Sequence, residues 1–263
     1  MPLTPLQTEV LHLLAANRSP DSFVAGGTVL NAGEHSPRYS KDIDVFHDIE
    51  ASVAMSARAD AGVLASAGFG VQWLIQQPMF QRADLIRSGE TVRIEWVFDS
   101  AFRFFPAEPD PSCGWRLNLY DAATNKVLAL MSRREPRDYL DTLYFHREAL
   151  SLGALCWAAA GKDPGVNPYM ILEESHRSTR YQAEEFSELR LNTPIDLPGW
   201  KRTWLEAKQQ AEALFNRLPA EEVGCLYLNA QDKPVTPDPA SPGFPTLKRH
   251  FGTVRGAWPV IRK

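Results

Sequence analysis

Cysteine is scarce: Cys113, Cys156 and Cys225 are the three in 263 residues, widely separated and odd in number. That excludes a disulfide framework, matches no zinc-ligand spacing, and predicts reduced thiols in a cytoplasmic protein. No apolar run approaches the roughly 18 residues of a membrane span, and the N-terminus lacks a basic segment followed by an apolar one, so no membrane contact is expected. Neither sign of charge predominates. With 28 Lys and Arg against 32 Asp and Glu the formal net charge is −4, which provides no global attraction to nucleic acid; RNA contact then has to come from a local basic patch. Internal repeats and low-complexity tracts are absent. No Gly-Lys-Ser/Thr follows a glycine loop, which excludes a Walker-type phosphate loop. What remains is the composition of an ordinary globular protein, long enough for one large domain or two modest ones.

The chain is organised around Phe23 to Phe46. Phe-Val-Ala leads into Gly26-Gly27-Thr28, read as a strand ending in a glycine pair and opening a helix. After a short polar loop, Arg38-Tyr-Ser40-Lys-Asp42-Ile-Asp44-Val-Phe46 reads as a second strand. Positions i and i+2 of a strand share a face, so Asp42 and Asp44 stand side by side while Ile43, Val45 and Phe46 supply apolar contacts. Two such carboxylates repel unless a cation sits between them, and magnesium prefers oxygen ligands. The glycines let the backbone approach a ligand, and the N–H groups of the following helix favour an anion. Together these point to a nucleotide site. Taken singly, a D-x-D and a Gly-Gly are also ordinary strand ends and turns.

Thr4-Pro5-Leu6-Gln7 has the form of a capping box opening a helix with Leu6, Val10, Leu13 and Leu14 on its apolar side. An Ala-rich helix over 51–67 stops at Gly68, and strands are expected at 71–76, 82–87 and 91–98, the last two joined through Ser88-Gly89-Glu90. A mixed sheet flanked by helices follows, an α+β fold. In the third of these strands Glu95 shares a face with Arg93, and is either a third carboxylate beside Asp42 and Asp44 or simply the partner of a nearby Arg or Lys. Residues 101–115 read as loop. Asp121 reads as the N-cap of a helix carrying Lys126, which Pro136 breaks before a second helix with Asp138 and Asp141 on one face. On spacing alone, Asp138 and Asp141 resemble ordinary first-turn acids and Lys126 a solvated lysine.

The glycine pair, the Ser40-Lys-Asp42-Ile-Asp44 run and a later Lys126, Ala129-Leu130, Arg133 or Arg134, Arg137-Asp138-Tyr-Leu-Asp141 pattern together resemble the AbiEii/AbiGii-type nucleotidyltransferases. These are toxin halves of bacterial toxin–antitoxin and phage-abortive systems, within the polymerase-beta-like nucleotidyltransferase superfamily. The matching region runs from about Phe23 to Phe145. The resemblance implies Mg2+ (or Mn2+) held by Asp42 and Asp44; a third carboxylate ligand, common elsewhere in the superfamily, is not a fixed motif of this family, and Glu95 is the candidate for it here. It also implies a triphosphate cradled by Gly26, Gly27, Thr28 and Ser40 and contacted by Lys126. Asp141, with Asp138, would orient the site or act as base. Its substrates would be an NTP and an acceptor hydroxyl such as a tRNA 3′ end, and an antitoxin protein would be a partner.

Residues 1–120 are expected to form the nucleotidyltransferase core and 121–263 a mainly helical C-terminal lobe contributing Lys126 to Asp141. That lobe should hold helices within 164–191 and over 198–218, a short strand near 223–228, a proline-rich arm over 232–246, and a tail whose Phe251, Trp258, Val260 and Ile261 dock on the body or on a partner. Basic clusters at Arg133-Arg134-Arg137, His176-Arg177-Arg180 and Lys248-Arg249-His250-Arg255 are the places where a phosphate backbone could run. The competing readings are a nucleotide-binding module that has lost transfer, and an interaction protein neutralised through its C-terminal lobe.

Overall fold

Helix α1 (Pro5–Leu14) opens with the reciprocal cap that its sequence predicts: the Thr4 side chain accepts from the Gln7 N–H at 3.1 Å, and Gln7 Oε1 accepts from the Thr4 N–H at 2.8 Å. The computed structural model to which it belongs describes residues 3–31, 33, 36–99 and 102–252. These form two units, divided after Ala122.

In the first unit, β1 (Ser22–Ala25) runs into the short helix α2 (Gly26–Leu30), and β2 (Asp42–His47) follows the loop. Helix α3 (Glu50–Ser66) leads to β3 (Gly70–Gln77), β4 (Phe80–Arg87) and β5 (Glu90–Phe98). Ser88 and Gly89 both have positive φ, the backbone that a two-residue hairpin turn requires. The sheet order is β3-β4-β5-β2-β1-β7-β6, mixed in direction, with β2 at its centre. Of its last two strands, β6 (Glu108–Asp110) lies within the stretch expected to be loop and β7 (Gly114–Arg116) runs one residue past its end. Three residues each leave no periodicity to read, and Pro109 is tolerated because β6 is an edge strand.

The β2 alternation also differs from expectation in one place. Ile43, Val45 and His47 are the buried side chains, while Phe46 shares the half-exposed face of Asp42 and Asp44. On the buried face Arg18 Nη2 pairs with Asp60 at 2.5 Å, Trp96 Nε1 donates to Asp60 at 2.7 Å, and His47 Nε2 lies 3.1 Å from Ser22 Oγ.

The unit boundary falls inside α4 (Leu119–Ser132). Asp121, expected to cap that helix, instead accepts the N–H groups of Phe104 and Phe105 at 2.8 and 3.0 Å, and Asn118 accepts from Tyr120. The second unit continues with α5 (Pro136–Glu148), α6 (Leu152–Ala159), α7 (Pro168–Ser178) and α8 (Leu197–Phe215). No expectation covered α6. All eight of its residues are buried, so it shows no polar face to betray a helical period. Between α7 and α8 only the turn Ala183–Phe186 is helical.

The arm over 232–246 is fastened near its start, where the Val235 N–H donates to the Tyr227 carbonyl (2.9 Å) and Thr236 Oγ1 accepts from the Ser151 N–H (2.9 Å). It returns as β9 (Lys248–His250), which pairs with β8 (Leu226–Leu228). Phe251 is exposed; Arg255, Trp258, Val260 and Ile261 lie outside the described residues. Among the described residues, no helix is long and apolar enough to cross a membrane, and Cys113, Cys156 and Cys225 are buried and unbridged.

Candidate active site

Gly26 has φ +59, and a Cβ built on it would lie 1.9 Å from Asp44 Oδ2. Only glycine lets the chain turn there and still lie against that carboxylate. A Cβ on Gly27 would come 3.0 Å from Ser40 Oγ and 3.3 Å from the Arg38 guanidinium. The glycine pair thus packs directly on the strand and loop that bear the carboxylates.

A shell of buried polar side chains holds this arrangement. Strand β1 ends at Ala25, opposite Asp44, so the Asp42 carbonyl lies beyond that ladder. It accepts two hydroxyls instead, Thr28 Oγ1 at 3.0 Å and Ser40 Oγ at 2.9 Å. Gln7 Nε2 donates to the Ser40 carbonyl at 3.0 Å, Asn31 Nδ2 to the Gly27 carbonyl at 2.9 Å, and Arg38 Nη1 to the Tyr39 carbonyl at 2.9 Å. Gln7, Asn31 and Arg38 were not anticipated as site residues. The signal available for Gln7 was a polar residue set between apolar positions of α1, which its capping role already explained.

Strand register fixes the neighbours of the two carboxylates. Across β2, β5 and β4, Asp44 stands beside Glu95 and then Arg82, while Asp42 stands beside Arg93 and then Asp84. Cross-strand neighbours share a face, so this surface gathers four carboxylates and two guanidiniums. Glu95 is therefore next to Asp44, but its carboxylate is held by Arg82 at 2.7 Å, the alternative left open for it above. Arg93 is bound to Asp84 at 2.9 Å, and that hydrogen bond, with the charges of Asp84, Asp42 and Glu95, raises its pKa against the opposing cost of burial. Among the described residues, no three His, Cys, Asp or Glu side chains are gathered as a ligand set.

The second unit brings Lys126, Asp138 and Asp141 together. Lys126 Nζ lies 2.7 Å from Asp138 Oδ1 and 3.2 Å from Asp141 Oδ2, and Arg133 Nε donates to Asp138 Oδ2 at 2.8 Å. All three are nearly or fully buried, so neither carboxylate is a solvated first-turn acid and Lys126 is not a solvated lysine. Burial would raise the Asp138 pKa, but Lys126 and Arg133 together outweigh it and hold the carboxyl below its ordinary range.

The sequence from residue 12 to 216 matches the model of the AbiEii nucleotidyl transferase toxins, of type IV toxin–antitoxin systems. The chain belongs to the AbiEii family. It is a nucleotidyltransferase by that membership. No curated protein sequence matches it. Two solved structures share the fold at low identity. MenT4, a nucleotidyltransferase toxin from Mycobacterium tuberculosis, superimposes with a TM-score of 0.56 at 15% identity, covering 82% of this chain and 83% of its own. A putative nucleotidyltransferase from H. pylori gives 0.52 at 16% identity, covering 81% and 97%. The AbiEii match begins within α1 and ends just past α8, leaving outside it the arm and the β8–β9 pair.

Proposed function

We propose that this AbiEii protein moves a nucleoside monophosphate from an NTP to an acceptor hydroxyl, with pyrophosphate leaving. The observation that carries the reading is the backbone of Gly26 lying against Asp44, with Asp42 and Asp44 side by side on the half-exposed face of the central strand. The donor set suits magnesium, with manganese as a substitute: magnesium takes one or two carboxylates and completes its shell from substrate phosphates and water, so no third carboxylate is required. Bound magnesium supplies charge neutralisation at the phosphates and a lowered pKa for the acceptor hydroxyl.

Asp42 and Asp44 would hold it. Gly26 and Gly27 leave bare backbone for the triphosphate to approach, and the hydroxyls of Thr28 and Ser40 keep the Asp42 carbonyl, and with it the carboxylate, in place. Of the remaining residues, Lys126 is assigned to contact with phosphate and Asp141, with Asp138, to orientation or to the role of base. A tRNA 3′ end is the first acceptor to try. The family description supports the role of toxin with an antitoxin protein as partner.

The test is incubation with each alpha-labelled NTP, magnesium and total RNA, beside the Asp42→Ala/Asp44→Ala double variant. Label in a tRNA-sized band with the unaltered chain alone is the expected result. Label on protein or small molecules keeps the chemistry and removes tRNA. NTP binding without transfer makes the protein a binding module. Growth inhibition on expression, relieved by Asp44→Ala, is the expected sign of toxicity.

A further inference from the structure

The helical unit contains a pocket of about 240 Å³ floored by Tyr139 and Trp204, with His176, Arg180, Gln182 and Lys201 among its lining. Three observations bear on what fills it. First, the Tyr139 hydroxyl is buried and has no hydrogen-bond partner among the described residues. A buried hydroxyl left without one costs about 1–3 kcal/mol, and Tyr139 is one of the residues lining the pocket. Burial also holds the phenol's pKa well above its ordinary value, which keeps it a neutral donor.

Second, the lining contains no carboxylate, and among the described residues neither Arg180 nor Lys201 forms an ion pair. Their neighbours do: Arg134 pairs with Glu185, Arg177 with Glu174, and Lys208 with Glu173 and Glu212. Cations left without a counter-charge over a pocket suit an anionic occupant.

Third, the floor is aromatic. Tyr139 and Trp204 have ring centroids 5.5 Å apart, with Tyr181 5.6 Å from Tyr139. Trp204 Nε1 donates to His176 Nδ1 at 3.1 Å, so the other ring nitrogen of neutral His176 carries a proton. The volume is below the roughly 300–1,000 Å³ of sites that enclose a whole drug-sized ligand. It suits one ring inside, with its charged group at the rim beside Arg180 and Lys201.

We propose that this pocket binds a nucleoside phosphate unit, base toward Tyr139 and phosphate on Arg180 and Lys201, either as a free mononucleotide or as one nucleotide of a single-stranded RNA. Aromatic and cationic groups combined in this way are what single-stranded nucleic acid sites use. The proposal stands apart from the transfer chemistry, because none of the residues lining the pocket is assigned to the reaction.

The test is calorimetric titration of the full chain carrying Asp42→Ala/Asp44→Ala, in chelator, so that binding at the glycine–carboxylate face does not contribute. The probes are the four nucleoside monophosphates, inorganic phosphate and a short single-stranded RNA. Arg180→Gln/Lys201→Gln is expected to weaken binding about tenfold or more and to lower the salt dependence of RNA binding by about one unit of log–log slope. Tyr139→Phe removes one oxygen without changing the packing, and about a three- to tenfold loss is expected. Monophosphates that bind and respond to both variants identify a free nucleotide; a response confined to the RNA identifies a strand. Three results would overturn the proposal: no binding, binding that ignores both variants, or inorganic phosphate competing as well as a nucleotide.

Discussion

Gly26 is the residue at which backbone and chemistry meet. Alanine there would have to hold φ +59 and place its Cβ inside Asp44 Oδ2. The left-handed backbone alone costs about 1–2 kcal/mol for an alanine, and the overlap displaces the carboxylate as well. Gly26→Ala is therefore expected to lose transfer almost completely while lowering thermal stability only modestly, checked by turnover and a melting curve on the same sample. Asp42→Asn keeps the shape and removes the charge. Its predicted effect is a fall in turnover of about a hundredfold or more, the scale at which an electrostatic group in a reaction centre acts. Activity within tenfold of the unaltered protein would remove Asp42 from the proposed magnesium site.

At the scale of elements, Gln7 ties α1 to the loop that enters β2, and two variants separate its two duties. Thr4→Ala takes away half of the capping box and should cost about 1 kcal/mol with NTP KM unchanged. Gln7→Leu also strips the donor from the Ser40 carbonyl. It should cost about 1–3 kcal/mol and lower kcat, measured by urea unfolding and steady-state kinetics. Equal kinetics in the two would show that the Gln7–Ser40 bond does not position the site.

Helices α4 and α5 are joined by the Lys126–Asp138 pair, nearly and fully buried respectively. Lys126→Met leaves Asp138 with Arg133 as its remaining named cation, and a loss of about 3 kcal/mol is expected, the low end for breaking a buried pair. Adding Asp138→Asn should recover part of that loss. Had these been surface residues, neither change would register.

For the whole molecule the sign of the pH dependence follows from His47. Burial, and then the charge of Arg18, lower its pKa from 6.5 to about 4, against smaller opposing effects from backbone carbonyls and Asp48. The folded chain keeps His47 neutral where the unfolded chain protonates it. Its contribution is thus complete above about pH 6.5 and is lost as pH falls toward about 4, a change of about 3 kcal/mol. Asp138, whose pKa is also lowered, removes further stability at still lower pH. The urea midpoint should fall from pH 7.5 to pH 5, and His47→Gln should flatten that slope. An unchanged slope in the variant would place the sensitivity elsewhere.

Sequence by itself determined what neighbouring residues decide. The capping box at Thr4 and Gln7, the hairpin turn at Ser88-Gly89, the glycine pair and the shared face of Asp42 and Asp44 are all set by backbone geometry over a few residues, and all were legible before any fold was known. Tertiary structure decided what distant parts of the chain bring together. Glu95 met Arg82, Lys126 was buried with Asp138 and Asp141, and Arg249, expected in a basic cluster, was bound by Glu222 at 2.7 Å. Phe46, expected among the apolar contacts, lies instead on the face of Asp42 and Asp44 because the β2 alternation runs unbroken through the strand end, leaving His47 inside. The physical reason is range. Turns and caps are stabilised by bonds within one turn of chain, whereas the state of a charge depends on desolvation and on a partner that here lies 12 to 27 residues away in sequence.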